Sequence, residues 1–393
     1  MKCKLSDICS FRKGKVEVEN LNAKNYISTE NMLPNKCGIT EASSLPTVSL
    51  TQEYNSGDVL VSNIRPYFKK IWQAKYDGGC SNDVLVFVPK PNTDKDFLYY
   101  VLADDDFFTY SMATSKGTKM PRGDKTSIMQ YEVPLIDLQV QKKIASVLKA
   151  LDEKIKLNNE INNNLEQQAK AIFKSWFVDF EPFGGVQPSE MQFIPLQELC
   201  KVVTKGTTPT TLGKSFTSSG INFIKAESIL DNHSIDSSKF AFIDEETNAL
   251  LKRSIIKAND IVFTIAGTLG RFAMVDNSVL PANTNQAVAI IRPDETKVTP
   301  AYLYSFFIGN WHNEYYSKRI QQAVQANLSL TTIKSLPIAV LNNTTMSNYE
   351  KLVSPLFALM KNNEEENRRL SKLRDALLPR LMSGELDVSD IDL

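Results

Sequence analysis

The chain is organised around LQVQKKIASVLKALDEKIKLNNEINNNLEQQAKAIFKSWF, residues 138–177. Apolar residues in this stretch recur at alternating spacings of four and three, which places them on one face of a helix. The spacing predicts one long helix whose apolar seam turns polar in the middle, at Asn158 and Asn162. The predicted seam residues are Ile144, Leu148, Leu151, Ile155, Leu165, Ile172 and Trp176.

The C-terminal stretch, residues 346–393, repeats this plan and turns polar at Asn363 and Glu366. A buried polar layer fixes the register of paired helices at some cost in stability, so the two seams are predicted to meet through their polar layers. Pro355 would break the ladder of helical hydrogen bonds, so this helix is expected to begin near Ser354. The alternative is two unrelated amphipathic helices, each packed on its own domain. The predicted seam residues are Leu352, Leu359, Leu370, Leu373 and Leu377.

The bulk properties are those of an ordinary globular protein of two to three domains. Lys and Arg together number 45, as do Asp and Glu, so global charge alone does not indicate nucleic-acid binding. The five cysteines form no CxxC pair and the two histidines have no ligand-like neighbours in sequence, so no metal site is expected. With no signal peptide and no apolar run of roughly 20 residues, a cytoplasmic location without membrane contact is expected.

The two halves of the chain repeat each other in order. GDVLVSNIR (57–65) is echoed by NDIVFTIAG (259–267), and VPLID (133–137) by LPIAV (336–340). Strands are predicted over 58–62 and 84–88, and a single helix over 97–110. The pattern predicts an α+β chain with two similar α/β domains, separated by two long antiparallel helices that form a coiled coil with a pseudo-two-fold axis. The predicted segments are domain 1–137, helix 138–190, domain 191–345 and helix 346–393.

Helix length sets a scale for this arrangement. A helix of about 40 residues is about 60 Å long, so the two domains would be held at a large, fixed separation. Such spacing suits two patches on one face of a DNA duplex, about 34–36 Å or somewhat more apart. Because the two copies differ in sequence, the two half-sites are expected to differ as well.

No catalytic constellation is found in the sequence. GTTPTTLGKS (206–215) resembles a phosphate-binding P-loop, but it has six residues between its glycines where that motif has four. AGTLG (266–270) lacks the third glycine of a dinucleotide fingerprint, and no methyltransferase cofactor loop is present. A non-enzymatic protein is therefore expected.

In the first copy, two basic stretches predict DNA contacts. RPYFKKIW (65–72) mixes basic and aromatic residues, and Arg65 could make a bidentate contact to a guanine edge. TSKGTKMPRGDK (114–125) is a glycine-containing basic loop. The alternatives are a β-hairpin with a solvated basic rim and a flexible surface loop. The predicted contacts are Arg65, Tyr67, Lys69, Lys70, Lys116, Lys119 and Arg122.

In the second copy, the predicted DNA contacts are more scattered. They include a basic turn with threonines and a Gln- and Asn-containing segment, and Gln and Asn are the residue types that read adenine bidentately. An amphipathic helix end explains the Gln and Asn equally well. The predicted contacts are Lys205, Thr207, Thr208, Lys214, Arg271, Lys318, Gln322 and Asn327.

Taken together, these stretches resemble the specificity subunit of a type I restriction–modification enzyme over nearly the whole chain. The stretches that carry the resemblance are GDVLVSNIRP (57–66), IASVLKALDEKI (144–155), AIFKSWFVDFEPFG (171–184), KGTTP (205–209), NDIVFTIAGTLG (259–270) and LRDALLPRLMSGEL (373–386).

The resemblance implies two target-recognition domains that read a bipartite, asymmetric double-stranded DNA sequence. It also implies helical spacers that dock two methyltransferase subunits, which bind S-adenosylmethionine and methylate adenine. Restriction subunits that use ATP and Mg²⁺ would join them, and this chain would itself be non-catalytic and hold no cofactor. The alternative of another class is a helical scaffold or adaptor protein with two duplicated domains and no DNA role.

Overall fold

The computed structural model of the chain describes residues 2–320 and 327–388. Gln322 lies outside these residues, and so does the side chain of Lys318. The chain divides into two compact units: Met1–Asn158 with Glu364–Leu393, and Asn159–Asn363. Within the two described ranges, no helix has the length and apolar character that crossing a bilayer requires.

The first unit contains a mixed domain of short strands and helices. Its strands are β1 (Lys2–Lys4), β2 (Cys9–Phe11), β3 (Lys15–Glu17), β4 (Tyr26–Ile27), β5 (Leu50–Tyr54), β6 (Val59–Ser62), β7 (Ile71–Gln73), β8 (Gly78–Cys80), β9 (Val84–Pro89) and β10 (Glu132–Pro134). Its helices are α1 (Leu5–Ile8), α2 (Lys95–Ala103), α3 (Asp105–Ala113) and α4 (Lys125–Ile128). Two four-stranded sheets have the orders β2-β9-β6-β7 and β3-β5-β8-β4, and β1 pairs with β10.

Strand β9 shows why these residues form a layered core. Its side chains alternate between the two faces of the sheet, as the period of a strand requires. Leu85 and Phe87 pack with the apolar residues of α2 and α3, whereas Val84 and Val86 pack in a separate cluster with Trp72. Because both faces are covered, the strand reads as a continuous apolar run.

The predicted single helix over 97–110 is wrong, since the structure breaks it into α2 and α3. Asp104 between them adopts an extended conformation, with φ −62° and ψ 141°. Its carboxylate accepts a hydrogen bond from the backbone N–H of Asp106 at 3.0 Å and so caps α3. The aspartate run at 104–106 therefore starts a second helix.

The first long helix, α5 (Leu138–Phe177), is continuous as predicted. The second unit then repeats the architecture of the first domain. Its strands are β11 (Gln192–Pro195), β12 (Cys200–Lys205), β13 (Ile221–Ile224), β14 (Ala241–Ile243), β15 (Ile261–Thr264), β16 (Phe272–Met274), β17 (Ala282–Thr284), β18 (Val288–Pro293) and β19 (Pro337–Val340). Its shorter helices are α6 (Glu245–Leu250), α7 (Pro300–Ile308), α8 (Trp311–Ile320) and α9 (Leu330–Lys334).

The strand orders confirm the internal repeat. The order β12-β18-β15-β16 repeats β2-β9-β6-β7, and the pair β11-β19 repeats β1-β10. In the remaining sheet of each domain, one pair is parallel: β4 with β8 in the first and β13 with β17 in the second. This sheet has three strands in the second domain, in the order β14-β13-β17, and four in the first, in the order β3-β5-β8-β4. The mixed α+β fold with two similar domains, expected from the sequence, is thus confirmed.

The second long helix, α10 (Asn343–Ser383), begins well before Ser354, so the predicted start is wrong. The side chain of Asn342 accepts a hydrogen bond from the backbone N–H of Thr345 at 3.0 Å, which satisfies one free donor of the first turn. Tyr349 and Val353 are fully buried in the core of the second unit. Pro355 is exposed, so the hydrogen bond that it removes lies toward water, and tertiary packing keeps the helix intact through it.

The two long helices pair within the first unit through a polar layer. The Asn158 amide donates hydrogen bonds to Glu366 Oε2 at 2.7 Å and to Asn367 Oδ1 at 2.9 Å. Farther along, Arg374 Nη1 donates to Asp152 Oδ1 at 2.7 Å. Because residue numbers fall on one helix as they rise on the other, the pairing is antiparallel.

The same antiparallel sense holds inside the second unit. Asn363 Nδ2 donates to Asn162 Oδ1 at 2.8 Å, and Asn162 Nδ2 donates to the carbonyl of Met360 at 3.1 Å. The prediction that the two polar seams meet is therefore confirmed at Asn158 with Glu366 and at Asn162 with Asn363. The alternative of two unrelated helices is excluded.

The apolar seam of α5 follows the prediction from Ile144 to Leu165, whereas its last two buried residues, Phe173 and Phe177, and the buried residues of α10 lie one position beyond the predicted ones. On α5, Ile144, Leu148 and Leu165 are buried, and the partly buried seam residues are Leu151, Ile155, Ile172 and Trp176. On α10, the predicted seam residues Leu352, Leu359 and Leu373 are 46%, 45% and 47% exposed. Leu370 and Leu377 are partly buried. The buried residues are instead Val353, Phe357, Met360, Leu378 and Leu381.

Two apolar stripes compete for burial on α10. Leucines alternate with other apolar residues at adjacent heptad positions of α10, so two stripes of similar hydrophobicity run side by side along the helix. The stripe that carries Tyr349 and Phe357 fits the aromatic cluster of the second unit and is buried there. Leu352, Leu359 and Leu373 are left facing solvent.

Candidate nucleic-acid interface

The two basic stretches predicted in the first domain lie together on one surface. The backbone N–H of Arg65 donates to the carbonyl of Pro121 at 2.8 Å, and that of Gly123 donates to the carbonyl of Asn63 at 3.1 Å. An isolated antiparallel bridge also joins Ile64 to Arg122. The surface formed by residues 63–70 and 114–124 is hereafter the first tip.

The turn between β6 and β7 presents Arg65 and Tyr67 to solvent. Arg65 and Lys69 both have positive φ, 51° and 49°, with a short 3₁₀ turn, Pro66–Phe68, between them. Such values are uncommon for residues with a Cβ and persist where surrounding contacts hold them. Arg65 is exposed, and the 49% exposed Tyr67 lies with its ring 4.6 Å from that of Phe68. The turn thus presents a cation beside an aromatic pair.

The cations of the first tip differ in how they are engaged. Arg65 and Lys119 are exposed and form no ion pair with any residue that the structure describes. Lys69 Nζ lies 2.8 Å from Asp105, which also binds Lys36 at 2.8 Å. Lys116 pairs with Asp124 at 2.5 Å, and Arg122 pairs with Asp83 at 3.0 Å.

Lys70 is bound by uncharged groups. Its Nζ donates to the carbonyl of Thr29 at 2.6 Å and lies 5.8 Å from the centre of the Phe68 ring. Burial lowers the pKa of Lys70. Of the predicted contacts on the first tip, Lys70 is the one whose ammonium bonds to a backbone carbonyl of the protein.

In the second domain, three segments meet around residues 284–288. Ile265, at the start of the β15–β16 turn, donates its N–H to the carbonyl of Ala287 at 2.8 Å. Thr207 donates its N–H to the carbonyl of Thr284 at 3.2 Å. Leu328 donates to the carbonyl of Ile265 at 3.0 Å, which brings the exposed Asn327 to the same region. The surface formed by residues 205–214, 264–271 and 327–330 is hereafter the second tip.

The basic turn at the end of β12 is packed tightly against its neighbour. A Cβ on Gly206 would overlap the carbonyl of Thr284, so only glycine allows this approach. The hydroxyl of Thr207 accepts a hydrogen bond from Arg253 at 3.1 Å, and that of Thr208 donates to Gln286. Both predicted threonine contacts therefore lie in an ordered turn, beside the exposed Lys205.

The remaining described cations of the second tip are paired. Arg271 forms two hydrogen bonds of 2.6 Å with the carboxylate of Asp231. Lys214 lies 2.7 Å from Glu246, and the hydrogen bond to this carboxylate raises the pKa of Lys214.

Electrostatics keeps two of the acidic partners of the first tip, Asp124 and Asp105, ionised. The Lys116 ammonium, followed by the backbone N–H of Ser127, lowers the pKa of Asp124 to about 2. Burial by itself would raise the pKa of Asp105, but the hydrogen bonds from Lys36 and Lys69 outweigh it, and the pKa is lowered. Both carboxylates are therefore charged at neutral pH.

Sequence reasoning missed Lys36, Arg253 and the acidic partners of the tip cations. Asp83 meets Arg122 only because the bridge at Ile64 folds the loop 114–124 back. Lys36 reaches Asp105 from a loop whose own N–H groups bond to the carbonyls of residues 68 and 69. No spacing in the sequence marks these pairs, since their members come from separate segments.

Known proteins share both the sequence pattern and the architecture of this chain. A family model described as the type I restriction modification DNA specificity domain matches residues 1–167 and 188–369. The type I restriction enzyme HindI specificity subunit of Haemophilus influenzae is 26% identical, with 92% of this chain and 94% of that protein covered. The MjaIX specificity subunit of Methanocaldococcus jannaschii is also 26% identical, with 77% and 72% covered.

A solved structure shares the fold. The crystal structure of a type I restriction-modification system S subunit from M. genitalium superimposes with a TM-score of 0.58 at 16% sequence identity. The match covers 99% of this chain and 96% of that one. At this identity the likeness concerns the fold alone.

Proposed function

Since the chain belongs to the type I restriction–modification DNA specificity family and is a sequence-specificity subunit, we propose that its two tips bind the two halves of a bipartite, asymmetric duplex. The first tip would read one half-site and the second tip the other. The observation that carries this proposal is the repetition of one architecture with different side chains at its tips. Arg65 and Tyr67 stand where the second domain has Gly267 and Leu269.

Arg65 is the residue best placed for base readout. It is exposed at the start of the turn Pro66–Phe68, and its guanidinium has no carboxylate partner among the described residues. A free guanidinium can donate two hydrogen bonds to O6 and N7 of guanine in the major groove, which no other base pair can accept in the same way. Lys119, also exposed and unpaired within the described part of the chain, suits a phosphate contact.

The test compares these two residues in the assembled methyltransferase complex. Arg65→Ala is expected to reduce discrimination at one base pair of one half-site by about 1–3 kcal/mol and to leave the other half-site unchanged. Lys119→Ala, the matched control, should weaken binding to all duplexes and lower the salt slope by about 0.9. Equal loss on every sequence for Arg65→Ala would contradict base readout, and a scaffold without a DNA role would show no sequence preference even in the wild type.

We further propose that the solvent-facing leucines of the long helices dock the methyltransferase subunits. In the first unit these are Leu157 and Leu373, and in the second unit Leu352 and Leu359, all between 45% and 50% exposed. Apolar side chains that recur along a charged helix are typical of a surface that a partner covers. The chain itself would perform no catalysis. Two partner subunits would bind S-adenosylmethionine and methylate adenine, and restriction subunits would use ATP and Mg²⁺.

Leu359→Glu tests the docking surface. It is expected to weaken co-purification of the methyltransferase subunits, because it places a charge inside the apolar contact. Leu250→Glu is the matched control, since Leu250 is 57% exposed but lies on α6 and not on either long helix. Equal retention of the methyltransferase by both variants would refute this assignment.

A further inference from the structure

Most cations that the two tips offer to DNA already hold a carboxylate. On the first tip, Lys69 is bound by Asp105, Arg122 by Asp83 and Lys116 by Asp124. Asp105 also binds Lys36, so one carboxylate faces two ammonium groups at 2.8 Å each. Among the described side chains of this tip, Arg65, Lys119 and Lys70 have no acidic partner, and of these Lys70 is held by the carbonyl of Thr29.

The second tip shows the same pattern with unrelated residues. Arg271 is held by both oxygens of Asp231, and Lys214 is held by Glu246. Asp231 is 81% exposed and Glu246 is 73% exposed, so these carboxylates lie at the surface where DNA would approach. The pairing agrees with the whole chain, in which 45 basic and 45 acidic residues cancel.

We propose that Asp83, Asp105, Asp231 and Glu246 are specificity determinants that act by masking the cations of the tips. This inference rests on the proposed function of the tips as DNA-reading surfaces. Non-specific binding to DNA comes from cations that neutralise phosphates and release counterions. A lysine or arginine that already faces a carboxylate contributes little to that attraction, so random duplexes are held weakly.

The correct target duplex can displace these carboxylates from the cations. Exposed ion pairs in high dielectric are individually weak, so a phosphate can take the place of the carboxylate. The exchange needs a duplex held in register, and base contacts such as that of Arg65 supply the register only on the right sequence. The carboxylates thus lower the affinity for all DNA but lower it most for the wrong sequences.

Asp105 offers the cleanest test, because its carboxylate bonds only to Lys36 and Lys69 in the described structure. Asp124 is less suitable, since it also caps α4 by accepting from the N–H of Ser127 at 2.9 Å. Glu385, which pairs at 2.8 Å with Arg380 of the last turn of α10, provides a control of equal charge that belongs to neither tip.

The experiment measures binding of the specificity subunit with its methyltransferase partner to two duplexes over a range of salt concentrations. One duplex carries the target, identified by sequencing the methyladenine in modified DNA, and the other carries the same bases scrambled. Asp105→Asn is expected to bind the scrambled duplex about five- to tenfold more tightly at 0.1 M salt, with a salt slope steeper by about 0.9–1.8. Its preference for the target should fall, whereas that of Glu385→Gln should not.

The double variant Asp105→Asn with Lys69→Gln should return binding of the scrambled duplex toward the wild-type value, which a merely structural effect of Asp105 would not do. The inference is overturned if the wild type discriminates between the duplexes and Asp105→Asn behaves like Glu385→Gln. A wild-type complex without any sequence preference would overturn the proposed function as well, so the two failures are distinguishable.

Discussion

Replacing His312 by leucine should remove a large part of the acid sensitivity of the second unit. His312 lies on α8, is 0% exposed, and neither ring nitrogen has a hydrogen-bond partner among the residues that the structure describes. Aromatic rings surround it, with the centroids of Phe263, Phe272 and Phe307 between 5.2 and 5.8 Å away. Burial, with a smaller contribution from the positive charge that His233 can carry, lowers the pKa of His312 to about 3.

The sign and size of the effect follow from proton linkage. In the unfolded chain a histidine takes up its proton near pH 6.5, whereas folded His312 stays neutral until about pH 3. The unfolded state therefore binds the proton first, and stability that is complete above pH 6.5 falls as the pH drops toward 3. Each pH unit in that window is worth about 1.4 kcal/mol, so His312 accounts for a loss of about 2 kcal/mol between pH 7.5 and pH 5.0.

Urea denaturation at these two pH values measures the effect. A Trp72→Phe background leaves Trp176 and Trp311 as reporters, both of which belong to the second unit. His312→Leu is expected to reduce the acid-induced drop in the free energy of unfolding by about 2 kcal/mol.

The other histidine provides the control. The ring of His233 stacks on Phe272 at 4.1 Å and lies 3.9 Å from Glu166, whose charge opposes the effect of burial on its pKa. His233→Gln should therefore change the acid-induced loss less than His312→Leu does. If His312→Leu lost as much stability on acidification as the wild type, the assignment of a neutral buried imidazole would be refuted.

Three further substitutions test the packing. Asp260→Asn, which removes the charge of the buried carboxylate that Arg292 binds, should destabilise the second unit by about 3–5 kcal/mol in urea, and a loss below 1 kcal/mol would show the pair to be dispensable. Gly206→Ala, which forces the basic turn away from Thr284, should cost about 1–3 kcal/mol and weaken recognition of the second half-site, whereas unchanged binding would argue against a DNA role for the turn. Asn158→Leu should raise the free energy of unfolding of the first unit by about 1 kcal/mol, because it removes a buried amide oxygen that has no partner in the described structure. A clear fall in stability would show instead that the two hydrogen bonds of the Asn158 amide dominate.

Some features of the fold can be predicted from the sequence because they depend on local spacing. Heptad spacing shows, within a few residues, which side chains share one face of a helix. The length of α5 and its polar layer at Asn158 and Asn162 therefore follow directly from the sequence. The repeat likewise survives as matching stretches in the same order. The plan of two similar domains and two long helices, and the resemblance to a family of DNA-specificity proteins, could therefore be predicted from the sequence.

Other features depend on contacts between distant segments, and the tertiary structure alone decided them. Two apolar stripes compete along α10, and the aromatic core of the second unit buries Val353 and Phe357, so that Leu352 and Leu359 face water. The ion pairs of the tip cations also depend on the tertiary structure, because carboxylates such as that of Asp83 reach Arg122 only after the chain folds back. Periodicity shows which residues share a face of a helix, but not which of two apolar faces packs better against the rest of the fold. It also does not show which carboxylate will lie beside a given cation, because the two come from distant segments.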